Sequence, residues 1–382
     1  MRCELSDICV YRNERISTNA LNSHTYVSTE NMLPDKGGIT DAASLPTVSQ
    51  TSKFIYGDTL VSNIRPYFKK IWFAEYDGGC SNDVLVFSAK EGVDPKYLYY
   101  VLANDSFFAY STATSKGTKM PRGDKTSIMQ YQIEKVDSPT QKKIAAILSA
   151  LDEKIAINRA INENLERQAQ AFFQELFVDN ADPEWAIGTI NDLGAVVGGS
   201  TPSKAKPEYY TETGIAWITP KDLSVNKSKF ISHGENDITE LGLKNSSATI
   251  MPEGTVLFSS RAPIGYIAVA AGEVATNQGF KSIVPKPEIG TAFVYYFLKH
   301  NLPIIEGMAS GSTFKEVSGS TMKGVPAVIP DTDTIARFND FCSPIFAQQR
   351  ILEEQNHSLA ALRDNLLPKL MSGEVDVSDI QL

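Results

Sequence analysis

Basic side chains set among aromatic and hydroxyl residues are the chemistry this sequence offers most plainly. Lys116, Lys119, Arg122 and Lys125 share one Gly/Ser/Thr-rich stretch in which Asp124 is the only acid. Such a loop can lie along a phosphate backbone, and an ordinary solvated charge run has the same composition. Arg65, Lys69 and Lys70 flank Tyr67 and Phe68, a second basic and aromatic group. Further on, Lys221, Arg261, Lys281 and Lys315 are more scattered. Arg261 follows an apolar, strand-like run in Ser259-Ser-Arg-Ala-Pro263. Its planar fork suits guanine O6 and N7, grips a phosphate equally well, or braces a strand end.

Other chemistries lack their residues. No Gly-Lys dipeptide occurs, which removes the P-loop, and no G-x-G-x-x-G follows a strand-like run. G-x-S-x-G and H-E-x-x-H are absent, as is an Asn/Asp-Pro-Pro-aromatic tetrapeptide of the kind that holds an amine for methyl transfer. Cys3, Cys9, Cys80 and Cys342 have no C-x-x-C spacing, and His24, His233, His300 and His357 are dispersed, so neither a zinc site nor a disulfide framework is expected. Pro34-Asp35 with Asp94-Pro95-Lys96 is too loose a pattern for a nuclease, and Asp152-Glu153-Lys154 falls on the solvated flank of a helix. The expectation is a non-catalytic binding protein with no metal or cofactor of its own. The net charge of −9 over 382 residues excludes a grip by bulk positive charge, so any anionic partner must meet a local basic surface. With no long apolar run and a charged N-terminal segment, neither a membrane span nor a signal peptide is expected, and the expected compartment is the cytoplasm.

The elements that must position these residues are written twice, at an offset of roughly 194 residues. Tyr26-Val-Ser-Thr-Glu-Asn-Met32 corresponds to Trp217-Ile-Thr-Pro-Lys-Asp-Leu223, and Gly57-Asp-Thr-Leu-Val-Ser62 with Pro66 to Gly254-Thr-Val-Leu-Phe-Ser259 with Pro263. Tyr99-Tyr100 matches Tyr295-Tyr296, Ser115-Lys-Gly-Thr118 matches Ser310-Gly-Ser-Thr313, and Phe172-Phe173-x-x-Leu176-Phe177 matches Leu366-Leu367-x-x-Leu370-Met371. Each copy ends in a helix with an apolar seam in alternating steps of four and three. In the first, Ile144, Leu148, Leu151, Ile155, Leu165, Ala169, Phe172 and Leu176 hold the seam, with Asn158 and Asn162 as polar exceptions. In the second, Phe338, Cys342, Ile345, Leu352, Leu359, Leu366 and Leu370 repeat the register, with Gln349, Asn356 and Arg363 as exceptions. Two matched seams in one chain point to pairing with each other, and Asn162 and Asn356 at equivalent positions would fix register by demanding a polar partner. Ser138-Pro-Thr-Gln141 predicts a capping box for the first helix; the second is predicted to begin near Asp333 or Thr334 and to end near Pro368 and Gly373. Short strand-like runs such as Val84–Phe87, Thr255–Phe258 and Tyr266–Val269 place α+β domains at residues 1–137 and 181–334, with a central helix at 138–180 and a C-terminal helix and tail at 335–382.

Gly198-Gly-Ser-Thr-Pro-Ser203, Tyr209-Tyr210, Trp217-Ile-Thr219 with Asp222-Leu223, Ser246-Ser-Ala248, Phe258-Ser-Ser-Arg-Ala-Pro-Ile-Gly265, Thr276-Asn-Gln-Gly-Phe-Lys281 and Leu366-Leu-Pro-Lys-Leu-Met-Ser-Gly-Glu374 together resemble the specificity subunit of type I restriction-modification systems. The resemblance covers almost the whole chain. It implies two target-recognition domains, each reading half of a split double-stranded DNA sequence, joined by two long helices in an antiparallel coiled coil with pseudo-twofold symmetry. It also implies two methyltransferase subunits docked on the helices, whose coiled-coil and partner-assembly residues are Leu148, Leu151, Ile155, Leu165, Ile345, Leu352, Leu359 and Leu366. S-adenosylmethionine, ATP and Mg would then belong to partner subunits, including motor-nuclease subunits that cut unmodified DNA. The expected DNA contacts are Arg65, Lys69, Lys116, Lys119, Arg122, Lys221, Arg261, Lys281 and Lys315. The first half departs from the pattern: it lacks the Gly-Gly-x-Thr-Pro opening and has Cys80-Ser-Asn-Asp83 where the second half has Thr276-Asn-Gln-Gly279. A coiled-coil scaffold with two protein-binding domains and no DNA contact is the alternative from another class.

Overall fold

Apolar burial divides the chain into two compact units, Met1–Ile155 with His357–Leu382, and Ala156–Asn356. The computed structural model describes residues 2–311, 315–378 and 380. Ser312 and Thr313, part of one repeat correspondence drawn from the sequence, lie outside the described residues.

The first unit is built on an antiparallel sheet in the order Cys9–Tyr11, Val84–Ala89, Thr59–Ser62, Ile71–Phe73. Its strands are continuous apolar runs because both faces are covered. Val61, Ile71, Leu85 and Phe87 enter one core with the helix Pro95–Ala103; Leu60, Trp72, Val84 and Val86 enter another on the opposite face. Tyr26–Val27 runs parallel to the Gly79–Cys80 part of a neighbouring strand, and Arg2–Glu4 pairs with Gln132–Glu134 just before the central helix.

The second unit repeats this plan. Its sheet runs Gly194–Gly198, Lys281–Pro285, Val256–Ser260, Ile264–Ala270, with Phe230–Ile231 added in parallel at the edge. Val256 and Phe258 face one core while Leu257 faces the other. Trp217–Ile218 runs parallel to Ala275–Thr276, and Ala186–Thr189 pairs with Pro326–Ile329. The shared punctuation is conformational: Gly57 and Gly254 both have left-handed φ, 88° and 82°, at the turn that feeds the central strand. The residue before the shared proline is left-handed in both units, Arg65 at 50° and Ala262 at 51°.

Both units draw on the two long helices, Ser138–Gln174 and Thr332–Ser372. The N-cap of the first is Asp137, whose Oδ1 accepts the Thr140 amide at 2.9 Å, so the predicted box at Ser138 is displaced by one residue. The reason is that Gln141 is engaged elsewhere, accepting the Asp94 amide at 3.0 Å and donating to the Val136 carbonyl. Asp331 caps the second helix through the Thr334 amide, so that helix begins at Thr332, slightly before the predicted start. Gly373, at φ 74°, follows its end.

Within the second unit the helices are antiparallel: Phe172 packs on Phe338 and Phe341, and Asn158 meets Asn356. Within the first unit the same sense appears in Asp152 with Arg363 at 2.7 Å and in Lys143, whose Nζ donates to the Val377 carbonyl at 3.2 Å. Leu148, Ile155, Ile345 and Leu352 are buried; Leu151, Leu165, Leu359 and Leu366 are half-buried. Phe173 and Leu367 are deeper than the predicted Phe172 and Leu366, because a helix of 3.6 residues per turn drifts from a strict 3.5-residue seam. The polar layer also differs from expectation. Asn158, fully buried, donates to Asn356 Oδ1 at 3.0 Å, whereas Asn162 exchanges bonds with Gln349, each side-chain amide reaching the other's carbonyl at 3.4 and 3.2 Å.

A carboxylate of the central helix fastens it to each unit. In the first unit Asp152, expected on the solvated flank, instead turns inward, where it is half-buried and accepts the Tyr100 hydroxyl at 2.6 Å as well as Arg363. In the second, Glu166 accepts Tyr296 at 2.8 Å and Lys299 at 2.5 Å and pairs with buried Lys229. Burial raises the carboxyl's pKa, but the attraction of Lys229 and the bonds from both lysines outweigh it and hold Glu166 at about 2. A pKa below the ordinary carboxylate value means that the stabilisation is complete above about pH 4.5 and is lost as pH falls toward 2. Glu166→Gln is expected to cost about 3 kcal/mol at neutral pH, with the difference from the parent shrinking across that acid range. Urea denaturation at stepped pH checks this, and a pH-independent difference would contradict the clamp. On the seam, Leu352→Asp is expected to cost several kcal/mol, whereas Ile351→Asp, at a position 47% exposed, should change stability by less than about 0.5 kcal/mol.

Candidate nucleic-acid interface

In the first unit the basic residues are assembled by backbone pairing beyond the central strand. After Ser62 the chain leaves the sheet, and the Arg65 amide donates to the Pro121 carbonyl at 2.8 Å. Ile64 bridges to Arg122, and Arg122 and Lys116 exchange two backbone bonds at 2.8 and 2.9 Å. These contacts join two loops distant in sequence and bring Arg65, Lys116, Lys119 and Arg122 to one end of the unit. Arg65 and Lys119 are exposed and form no side-chain ion pair among the described residues. Lys116 pairs with Asp124, which also caps the helix Lys125–Met129 through the Ser127 amide. The Lys116 ammonium and that amide hold the Asp124 carboxyl down at about 2. Arg122 meets Asp83 at 3.2 Å. Lys69, on the same turn as Arg65, is paired instead: with Lys36 it clamps Asp105, both at 2.9 Å.

In the second unit Arg261 sits at the end of the strand Val256–Ser260, the position its flanking sequence predicts. Glu316 draws in Arg261 at 3.4 Å and Lys281 at 3.6 Å, and exposed Lys315 is its chain neighbour. Lys221, on the helix Pro220–Val225, pairs with Glu235 at 2.5 Å. Lys221 and Arg261 line one open cavity of about 680 Å³ with Lys204, Trp217, Asn277 and Gln278; Arg261 and Lys315 line another of about 640 Å³. The four scattered cations therefore surround one loop cluster.

Most of these cations are held by a single carboxylate at the surface. Such pairs contribute roughly 0–1 kcal/mol and are screened by salt, so exchanging the carboxylate for a phosphate costs little. Sequence reasoning noted Asp124 as the one acid in the basic stretch but missed Asp83, Asp105, Glu235 and Glu316, and also Asn277 and Gln278, whose side-chain amides suit base edges. The signal for the last two was present in the segment Thr276–Lys281. The acids carried none, since each is paired by the fold across a gap in sequence. No cluster of three or more His, Cys, Asp or Glu able to hold a metal occurs among the described residues, and all four cysteines are free. No described helix is long and apolar enough to cross a membrane.

Residues 2–167 and again 183–359 match the type I restriction modification DNA specificity domain. The chain belongs to that family. The two matched stretches coincide with the two copies of the fold, so each specificity domain carries its own basic loop cluster. The type I restriction enzyme MjaIX specificity subunit of Methanocaldococcus jannaschii is 39% identical over 191 residues, spanning 48% of this chain and 44% of that relative. The HindI specificity subunit of Haemophilus influenzae is 24% identical over 97% of this chain and 98% of its own length. The crystal structure of a type I restriction-modification system S subunit from M. genitalium, 16% identical, covers 99% of this chain and 96% of its own with a TM-score of 0.63 and shows the same fold.

The unpaired cations of the first specificity domain yield a direct expectation. Lys119→Ala should weaken duplex binding by similar factors on any sequence and lower the slope of log affinity against log salt by about 0.9, one phosphate contact. Filter binding at stepped salt measures it; an unchanged slope would place Lys119 away from the backbone.

Proposed function

We propose that the chain is the DNA-reading subunit of a type I restriction-modification complex, with each unit reading one half of a split, asymmetric duplex target. The duplication carries this reading. Two domains of the DNA specificity family place basic side chains beyond the same strand end, Arg65 after Ser62 and Arg261 after Ser260. Phosphate contacts from the exposed lysines would position the duplex, while Arg261, Asn277 and Gln278, which line one open cavity of about 680 Å³, would meet base edges. The long helices, through their exposed and half-buried faces, dock two methyltransferase subunits. Those subunits transfer a methyl group from S-adenosylmethionine to adenine, and motor-nuclease subunits using ATP and Mg cut unmodified DNA. This chain contributes recognition and assembly rather than chemistry.

The test uses the chain assembled with its methyltransferase subunits and a pool of duplexes randomised over the bound region. Selection is expected to return two short conserved blocks separated by a fixed unconserved gap. Arg261→Ala should relax one block only, with a discrimination loss of about 1–3 kcal/mol at one base pair. Relaxation of both blocks would contradict the division of labour. Salt-independent retention, or none, would favour a protein-binding scaffold instead.

A further inference from the structure

The turn bearing Arg65 and Lys69 also bears Tyr67 and Phe68, whose rings lie 4.8 Å apart and are 48% and 39% exposed. Aromatic rings of this size normally contribute to a core. Here they occupy the tip of the short helical turn Pro66–Phe68, and Met120, 49% exposed, lies on the loop strapped to it through the Arg65–Pro121 bond.

The turn is held from several sides. The Asp35 amide donates to the Phe68 carbonyl at 2.8 Å and the Lys36 amide to the Lys69 carbonyl at 2.9 Å. Asp105 receives both Lys36 and Lys69. Asp35, Lys36, Arg65 and Lys69 all have left-handed φ, between 50° and 62°. A backbone this unfavourable for L side chains persists only where its surroundings impose it. The matching turn of the second unit is different. There the strands stay paired up to Ser260 with Ile264, and Arg261, Ala262 and Pro263 make the turn, with no aromatic pair at the tip.

The charges around the rings indicate what covers them. Arg65 precedes the turn, and Lys116, Lys119 and Arg122 lie on the loop bonded to it, with Arg65 and Lys119 in no ion pair among the described residues; an apolar protein surface covering the rings would have to face these cations. A duplex satisfies both features, with phosphates for the cations and base-pair faces for the rings. We infer that Tyr67 and Phe68 form a wedge that enters a base-pair step of the DNA held by the first unit. This rests on the DNA-reading function proposed above. The wedge opens the stack at one step, so that part of the first unit's sequence preference follows from how readily that step deforms, a form of recognition the second unit lacks.

The experiment uses the full chain assembled with its methyltransferase subunits and duplexes of the selected target carrying 2-aminopurine at successive positions. The parent is compared with Tyr67→Ala/Phe68→Ala and with the aromatic-preserving exchange Tyr67→Phe/Phe68→Tyr. The parent should brighten at one step within the half read by the first unit. The alanine pair should lose that signal and bind intact duplex roughly tenfold or more weakly. A mismatch at the step, already unstacked, should narrow the gap, and the exchange variant should behave as the parent. Parent-like fluorescence and affinity in the alanine pair would overturn the wedge, as would a folded alanine pair that no longer joins the methyltransferase subunits, which would place the rings in a protein interface. If the parent complex selects no duplex sequence at all, the DNA-reading function itself falls, and the wedge with it. If the parent selects a split target and the alanine pair keeps the signal, only the wedge falls.

Discussion

A carboxylate removed from water must be matched by donors, and this requirement fastens the central helix to each unit. Asp152 in the first unit and Glu166 in the second each receive a tyrosine hydroxyl from the helix behind the sheet, Tyr100 and Tyr296, together with a cation. Apolar packing alone would let a smooth helix turn or slide by part of a residue. A partly buried carboxylate with fixed donors does not, because moving it leaves its partners unmatched. The register of the central helix against each unit is set at those anchors.

The duplication, the two long helices and the mixed α+β character were legible because they are written in periodicity and punctuation. Gly57 and Gly254, Pro66 and Pro263, and the alternating seam all have local physical meanings that survive loss of sequence similarity. The displaced cap at Asp137 and the deeper burial of Phe173 and Leu367 were less legible, since each depends on competition. Gln141 is drawn toward Asp94 and Val136, and helical drift accumulates over many turns. Of the candidate site, the cations and the loop shared by Lys116, Lys119 and Arg122 were visible, and the joining of distant groups was not. Arg65 reaches Lys116 and Arg122 through a backbone bridge between distant loops, and Arg261 reaches Lys281 through the pairing of Ser259 and Ser260 with Gly279 and Phe280 and through the shared Glu316. Pairing of this sort is created by the sheet order, which the local pattern does not encode.

The acidic overall charge and the basic loop clusters are compatible in physical terms. At ordinary ionic strength a charge is felt over about 8–10 Å, so an approaching anion responds to the local cluster rather than to the total of −9. Carboxylates such as Asp124 and Glu316 keep the cations partly neutralised. A duplex bound as proposed would displace weak intramolecular pairs, and the resulting grip would be modest and easily reversed. That suits a subunit whose value lies in discriminating between sequences more than in holding any one of them.

The closing of the first unit also orders events during synthesis. Leu367, Leu370 and Val377 are buried in the same core as Leu98 and Phe107, and the Lys143 ammonium bonds the carbonyl of Val377, 234 positions further along the chain. A nascent N-terminal domain therefore emerges with one wall of its core missing, and that wall is supplied only after the entire second domain has been made. Contacts of such long range form late and leave apolar surface uncovered in the interval. The domain translated first is the one completed last, and loss of the final helical turns would expose the core of the domain farthest away in sequence.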